Sequence, residues 1–263
     1  GNKDKKIKVL QSARAGHTLV VGTTGVGKTR AGDFIINQDI RNGGAVIVID
    51  PKGDLDLVRG MYAACSVAGR LDDFKVVHLG FPDISAQYNP LKNYDNITEI
   101  ATRITDAISA EGEGKQFADF AWKYVDIVNK SLKQLSIPLT YDSISFYISR
   151  MDLLLELYAD SYMPSIDDMY EIGVQSIKAE HDCKTDKNGN NPPPMERAKA
   201  IGKYLKTFID DRLSSRNTDD IKDLVGLYDA AFLDKTYYDK ITASIGPVFS
   251  KINGSNASKI FSF

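Results

Sequence analysis

Residues 17–30 read HTLVVGTTGVGKTR, and the reading of the whole chain turns on them. An apolar run ends at Val21 and leads straight into Gly22-Thr23-Thr24-Gly25-Val26-Gly27-Lys28-Thr29, which fits GxxxxGK[ST] at every fixed position. The composition suits the binding of phosphate. Glycines let successive backbone N–H groups turn toward a single anion without Cβ clashes. A helix that begins at the loop adds the partial positive charge of its N-terminus. Lys28 is placed to reach the β and γ phosphates of a nucleotide, and the Thr29 hydroxyl to ligate Mg²⁺. The stretch therefore predicts an ATP–Mg²⁺ site. Its contacts are Gly22, Thr23, Thr24, Gly25, Val26, Gly27, Lys28 and Thr29, with Thr29 as the metal ligand.

Outward from the loop, short apolar runs alternate with amphipathic stretches. HTLVV, AVIVID (45–50) and FKVVHLG (74–80) read as buried strands. KTRAGDFIINQDIRNGG reads as a helix ended by Gly43-Gly44, and DLVRGMYAACSVAGR as a second helix stopped near Gly69. Strand, helix, strand, helix, strand predicts an α/β fold with a partial parallel-sheet core, because parallel neighbours need long crossover connections.

Past SAQYNPL the texture becomes helical. Phe117, Phe120, Ala121, Tyr124, Val125, Val128, Leu132 and Leu135 form an apolar stripe. PLTYDSISFYISRMDLLLELY predicts one or two helices entered at TYDS, with Asp142 or Ser143 as N-cap. PSIDDMYEIGVQSIKAEH and MERAKAIGKYLKTFIDDRL follow as helices around the loop KTDKNGNNPPP, and the helical pattern beyond Leu224 breaks near Gly246-Pro247. The expected layout is a first nucleotide-binding portion over 1–95, an inserted all-α domain over 96–240, and a return segment over 241–263.

Composition excludes several classes. Hydrophobic residues at 43% and charged residues at 26% are ordinary globular values, and a net charge of −2 gives no global basic signature. A nucleic-acid partner must meet a local patch or a channel built from several subunits. Cys65 and Cys183 have no CxxC spacing and read as reduced thiols. His17, His78 and His181 lie in no metal-ligand spacing. The opening GNKDKKIKV reads as the start of a segment cut from a longer chain.

A nucleotide-hydrolysing site also needs a carboxylate for the magnesium shell. The one predicted strand that ends in a carboxylate is VIVID, at Asp50, the third candidate catalytic residue beside Lys28 and Thr29. Two readings stand. Asp50 is the metal carboxylate itself, or it opens the motif DPKGD and the metal carboxylate comes later, beyond Phe263. On the second reading this chain alone does not turn over ATP.

GHTLVVGTTGVGKT, followed by VIVIDPKGD and a helical block, resembles the coupling ATPases of conjugative type IV secretion, the TraD/TraG group of the FtsK–HerA superfamily of hexameric DNA motors. The resemblance implies a homohexamer anchored at the cytoplasmic side of the bacterial inner membrane, with the oligomeric state of this chain alone left open. It implies that ATP drives relaxase-bound single-stranded DNA toward the type IV secretion apparatus. The nucleotide site carries over onto Gly22–Thr29, the second-strand motif onto Asp50-Pro51-Lys52-Gly53, and recognition of relaxosome proteins onto the helical block. The family's membrane helices and its later motor motifs have no counterpart here. Two other readings remain: a stand-alone nucleotidase using Asp50, and a non-catalytic helical recognition module.

Smaller signals carry bland readings beside sharper ones. Arg30 is a solvated cation, or a contact to a neighbouring subunit or a phosphate. EGEGKQ (111–116) is a turn before the Phe117 helix, or a contact to DNA or a partner. Phe117, Phe120 and Tyr124 read as core, whereas Trp122 lies off the apolar face and is open to base stacking. KNGNNPPP is a connector or a partner loop.

Overall fold

The computed structural model describes residues 16–106, 108, 114–182, 194–215 and 218–261. It divides into two compact units, Gly1–Val76 and Val77–Phe263.

The first unit holds helices α1 (Lys28–Arg41) and α2 (Leu55–Val67), packed on one another. Both end as the glycines predict. Gly44 N–H donates to the Asp39 carbonyl at 2.8 Å and Gly43 N–H to that of Ile40 at 3.1 Å, a Schellman closure. Arg70 and Gly69 repeat it on Cys65 and Ser66, at 2.8 and 3.1 Å. The Arg70 guanidinium then reaches back to the Ile40 and Gly44 carbonyls, each at 3.1 Å, and so supplies the end of α1 with donors it lacks. The shared core is small: Ile40, Ala64 and Cys65, flanked by Ile36, Val46, Met61 and Phe74.

The parallel sheet expected from the sequence is not formed: among the described residues there is no strand. The three apolar runs have no ladder joining them. From residue 45 to 50 the burial does alternate, with Val46 and Val48 half-buried while Ile47 and Ile49 stand 91% and 90% exposed. The period of a strand is present without the strand. Alternation is a property of the run itself, but a ladder needs a second backbone to take each N–H and C=O. The fold of the described residues is helical.

The second unit is a helical bundle with one large core. Its elements are α3 (Thr98–Thr105), α4 (Gly114–Gln134), α5 (Tyr141–Ile148), α6 (Met151–Tyr162), α7 (Tyr170–Asp182), α8 (Pro194–Ser214), α9 (Lys222–Ala231), α10 (Lys235–Asn253) and α11 (Asn256–Phe261). α4 is the axial element, packed on α3, α5, α6, α9 and α10. Its Ala121, Tyr124, Val125, Val128 and Leu132 are buried as the stripe predicts, whereas Phe120 is exposed, at the edge of the stripe.

Three local expectations need correction. The N-cap of α5 is Thr140, not Asp142 or Ser143. Thr140 Oγ1 accepts from Ser143 N–H at 3.1 Å and Ser143 Oγ from Thr140 N–H at 3.0 Å, so Ser143 is the third helical residue of a capping box. The helix does not break at Gly246-Pro247 but runs through it as α10, because Ile241, Ile245 and Phe249 bury on both sides of the proline. The break falls earlier, before Asp234, whose carboxylate caps α10 by accepting from Thr236 N–H at 2.9 Å. And α4 begins at Gly114, so the last residues of EGEGKQ are helix, not turn.

A polar web ties α6, α7 and α8 together. Arg197 pairs with Glu156 at 3.1 Å, Lys178 reaches Glu156 at 3.7 Å and also binds Asp160, and Tyr170 Oη donates to Asp160 at 3.0 Å. Glu156 is buried, a position tolerated only with such partners.

Candidate functional site

The loop Gly22–Gly27 is tied by the lysine that follows it. Lys28 Nζ donates to the Gly22 carbonyl and to the Thr23 carbonyl, both at 2.7 Å. An ammonium has three donors, so two hold the loop and the third remains for an anion. Gly25 and Gly27 take φ of 84° and 89°, left-handed backbone that a side chain would strain. Gly22 sits close to its neighbour across the loop: a Cβ there would lie 2.8 Å from Val26 Cγ2 and displace it. The fixed glycines of the motif thus have separate physical reasons.

The two helices of this unit start differently. α2 is capped: Asp54 accepts from Asp56 N–H at 2.9 Å and Leu57 N–H at 3.4 Å, and Asp56 adds an acidic residue to the first turn. α1 has neither a side-chain cap nor an acidic residue in its first turn. Its opening N–H groups and the positive end of its dipole are left for an external anion. Lys28 and Thr29 sit in that first turn. A nucleotide phosphate fits this arrangement, with the loop backbone and Lys28 holding it and the Thr29 hydroxyl available to Mg²⁺. Bound Mg²⁺ would supply neutralisation of phosphate charge.

Asp50 is built into a turn. Its Oδ1 accepts from Lys52 N–H at 3.0 Å and its Oδ2 from Asp54 N–H at 2.6 Å, while Gly53 N–H closes on the Asp50 carbonyl at 3.3 Å. The Asp54 N–H, then that of Lys52, with the nearby Lys52 charge, hold the Asp50 carboxyl below the usual carboxylate range. The residues of DPKGD divide the structural work among them. Asp50 anchors, Pro51 and Gly53 shape the turn, and Asp54 caps the next helix. Sequence reasoning misses the role of Asp54, although its signal, an aspartate ahead of an apolar helical run, is present.

Among the remaining candidates, Arg30 is exposed and shares a groove along α1 with Asp33, Phe34, Asn37, Gln38 and Arg41. Trp122 is half-buried against the bundle core, and its Nε1–H donates to Thr102 Oγ1 at 3.0 Å, which ties α4 to α3. Residues 111–113, Cys183, most of the KNGNNPPP loop and the Phe117 side chain lie outside the described residues. Among the described residues no three His, Cys, Asp or Glu side chains converge on a metal site. No helix there is long and apolar enough to cross a membrane.

Neither a curated protein nor a solved structure matches the chain. The family profile of the helicase HerA central domain matches residues 6–229, from ahead of the phosphate loop to α9. The chain therefore belongs to the HerA central-domain family, within the FtsK–HerA superfamily of P-loop ATPases.

Proposed function

We propose that this chain is the ATP-binding portion of a DNA-translocating coupling ATPase, one that links relaxase-bound single-stranded DNA to a type IV secretion channel. The observation that carries the nucleotide half of the reading is the Lys28 ammonium folded onto the Gly22 and Thr23 carbonyls at the uncapped start of α1. ATP phosphates occupy the loop, Lys28 and Thr29 act at their reacting end, and Thr29 holds Mg²⁺. The coupling half is supported by DPKGD following the loop and by a helical bundle with a core of its own, which offers a surface for relaxosome proteins. The working assembly is a homohexamer at the cytoplasmic side of the inner membrane.

Fluorescence anisotropy of labelled single-stranded and duplex DNA, with and without ATP–Mg²⁺, tests the coupling half. The expected result is a preference for single strands that strengthens with nucleotide. Indifference to both DNA and nucleotide would leave a P-loop ATPase with another cargo.

A further inference from the structure

Asp50 is connected to the phosphate loop by a continuous chain of contacts. Its two carboxylate oxygens hold the backbone N–H groups of Lys52 and Asp54. Asp54 caps α2. α2 lies against α1 so closely that a Cβ on Gly60 would come 2.9 Å from Asp33 Oδ1, and Ala64 and Cys65 bury with Ile40 of α1. α1 carries Lys28 and Thr29 in its first turn. We infer that Asp50 is a positioning residue of the nucleotide site, which acts through the Pro51–Asp54 turn and α2, and is not a magnesium ligand.

Each Asp50 oxygen is engaged by a backbone N–H of the chain that follows it, Oδ1 by Lys52 and Oδ2 by Asp54, so the carboxylate serves the turn. The turn it fixes delivers Asp54 to the helix start, where the cap contributes about 1 kcal/mol to helix stability. Loss of either aspartate therefore frees the same element, the start of α2, and through it the seat of α1.

This inference rests on the nucleotide reading above, and its test separates the two. The affinity of ATP for the chain is measured by calorimetry with Mg²⁺ and with EDTA, for wild type, Asp50→Asn, Asp54→Ala and the double variant, with far-ultraviolet circular dichroism to confirm folding. The isosteric Asp50→Asn keeps an acceptor at Oδ1 and loses the one at Oδ2. We expect each single variant to weaken ATP by about fivefold, the equivalent of one lost cap, by the same factor in Mg²⁺ and in EDTA. The double variant is expected to be no worse than the more severe single one, because both residues serve one turn. An Asp50→Asn variant that binds ATP normally in EDTA but has lost the Mg²⁺ enhancement would overturn the inference and make Asp50 a metal ligand. Additive losses in the double variant would overturn the shared-turn route. Absence of ATP binding by the wild-type chain would overturn the nucleotide reading itself.

Discussion

The Lys28 side chain donates to the backbone carbonyl of Gly22 at 2.7 Å, so the motif's lysine is a tie across the mouth of its own loop.

Gly22 faces Val26 across the same loop, and this contact makes a rescue experiment possible. Gly22→Ala places its Cβ 2.8 Å from Val26 Cγ2, below any real Cβ contact, so the Val26 side chain or the loop backbone must shift. ATP affinity is expected to fall roughly tenfold or more, in keeping with overpacking costs of about 1–3 kcal/mol. Gly22→Ala combined with Val26→Ala should recover most of the loss. If the double variant binds no better than Gly22→Ala, the glycine is required for some other reason.

In the bundle, Gly173 of α7 carries a similar constraint. A Cβ there would come 2.6 Å from Tyr204 Cε2, and the ring cannot swing freely because Tyr204 Oη is held on Asp167 Oδ2 at 2.8 Å. Gly173→Ala is expected to destabilise the bundle by about 1–3 kcal/mol despite its better helix propensity. Urea unfolding followed by circular dichroism measures it. A neutral or stabilising result would mean that α7 and α8 are less closely packed than described.

Asn129, on α4, is fully buried, and among the described residues neither its amide oxygen nor its nitrogen has a hydrogen-bond partner. Such a group costs about 1–3 kcal/mol of desolvation with nothing in return. Asn129→Leu should raise the melting temperature of the chain. A lowered one would show that the amide is satisfied in solution, by a buried water held at that point.

The tyrosines of the bundle set its alkaline limit. Burial, reinforced by nearby Tyr238 and Asp229, pushes Tyr124 up to about 12, and burial with the hydrogen bond to Asp167 does the same for Tyr204. Tyr158 and Tyr170 are raised further, chiefly by burial. The sign follows from linkage: the unfolded chain releases these protons near pH 10 and the folded chain does not, so the stability is full below about pH 10 and is lost as pH rises toward the folded values. Tyrosinate absorbance is expected to rise in a late step that coincides with loss of ellipticity. Smooth titration near the ordinary tyrosine pKa of about 10 with the helices intact would contradict the burial described.

How much of the fold and site is legible in the sequence follows from the range of each interaction. The loop, the glycine closures of α1 and α2 and the buried stripe of α4 from Ala121 to Leu132 depend on residues near one another in sequence, and the sequence shows them. The expected sheet misleads because HTLVV, AVIVID and FKVVHLG carry a strand's side-chain pattern but say nothing of a pairing partner, and the described residues form no ladder. Pro247 misleads because it is a local breaker, whereas the packing of Ile241 and Phe249 that carries the helix through it is tertiary. Trp122 lies off the α4 stripe, and only the placement of α3 gives its N–H a partner in Thr102. Asp50 is legible as a carboxylate at the end of an apolar run, but not as the anchor of the turn that leads to the cap of α2.

The most direct test of the nucleotide site is calorimetric binding of ATP–Mg²⁺ to the wild-type chain and to Lys28→Ala, both shown to be folded. A single site is expected in the wild type, weakened about a hundredfold or more in the variant, since a charge-assisted contact to phosphate and the tie across the loop are lost together. Equal affinity in the two proteins, or no binding by the wild type, would contradict it.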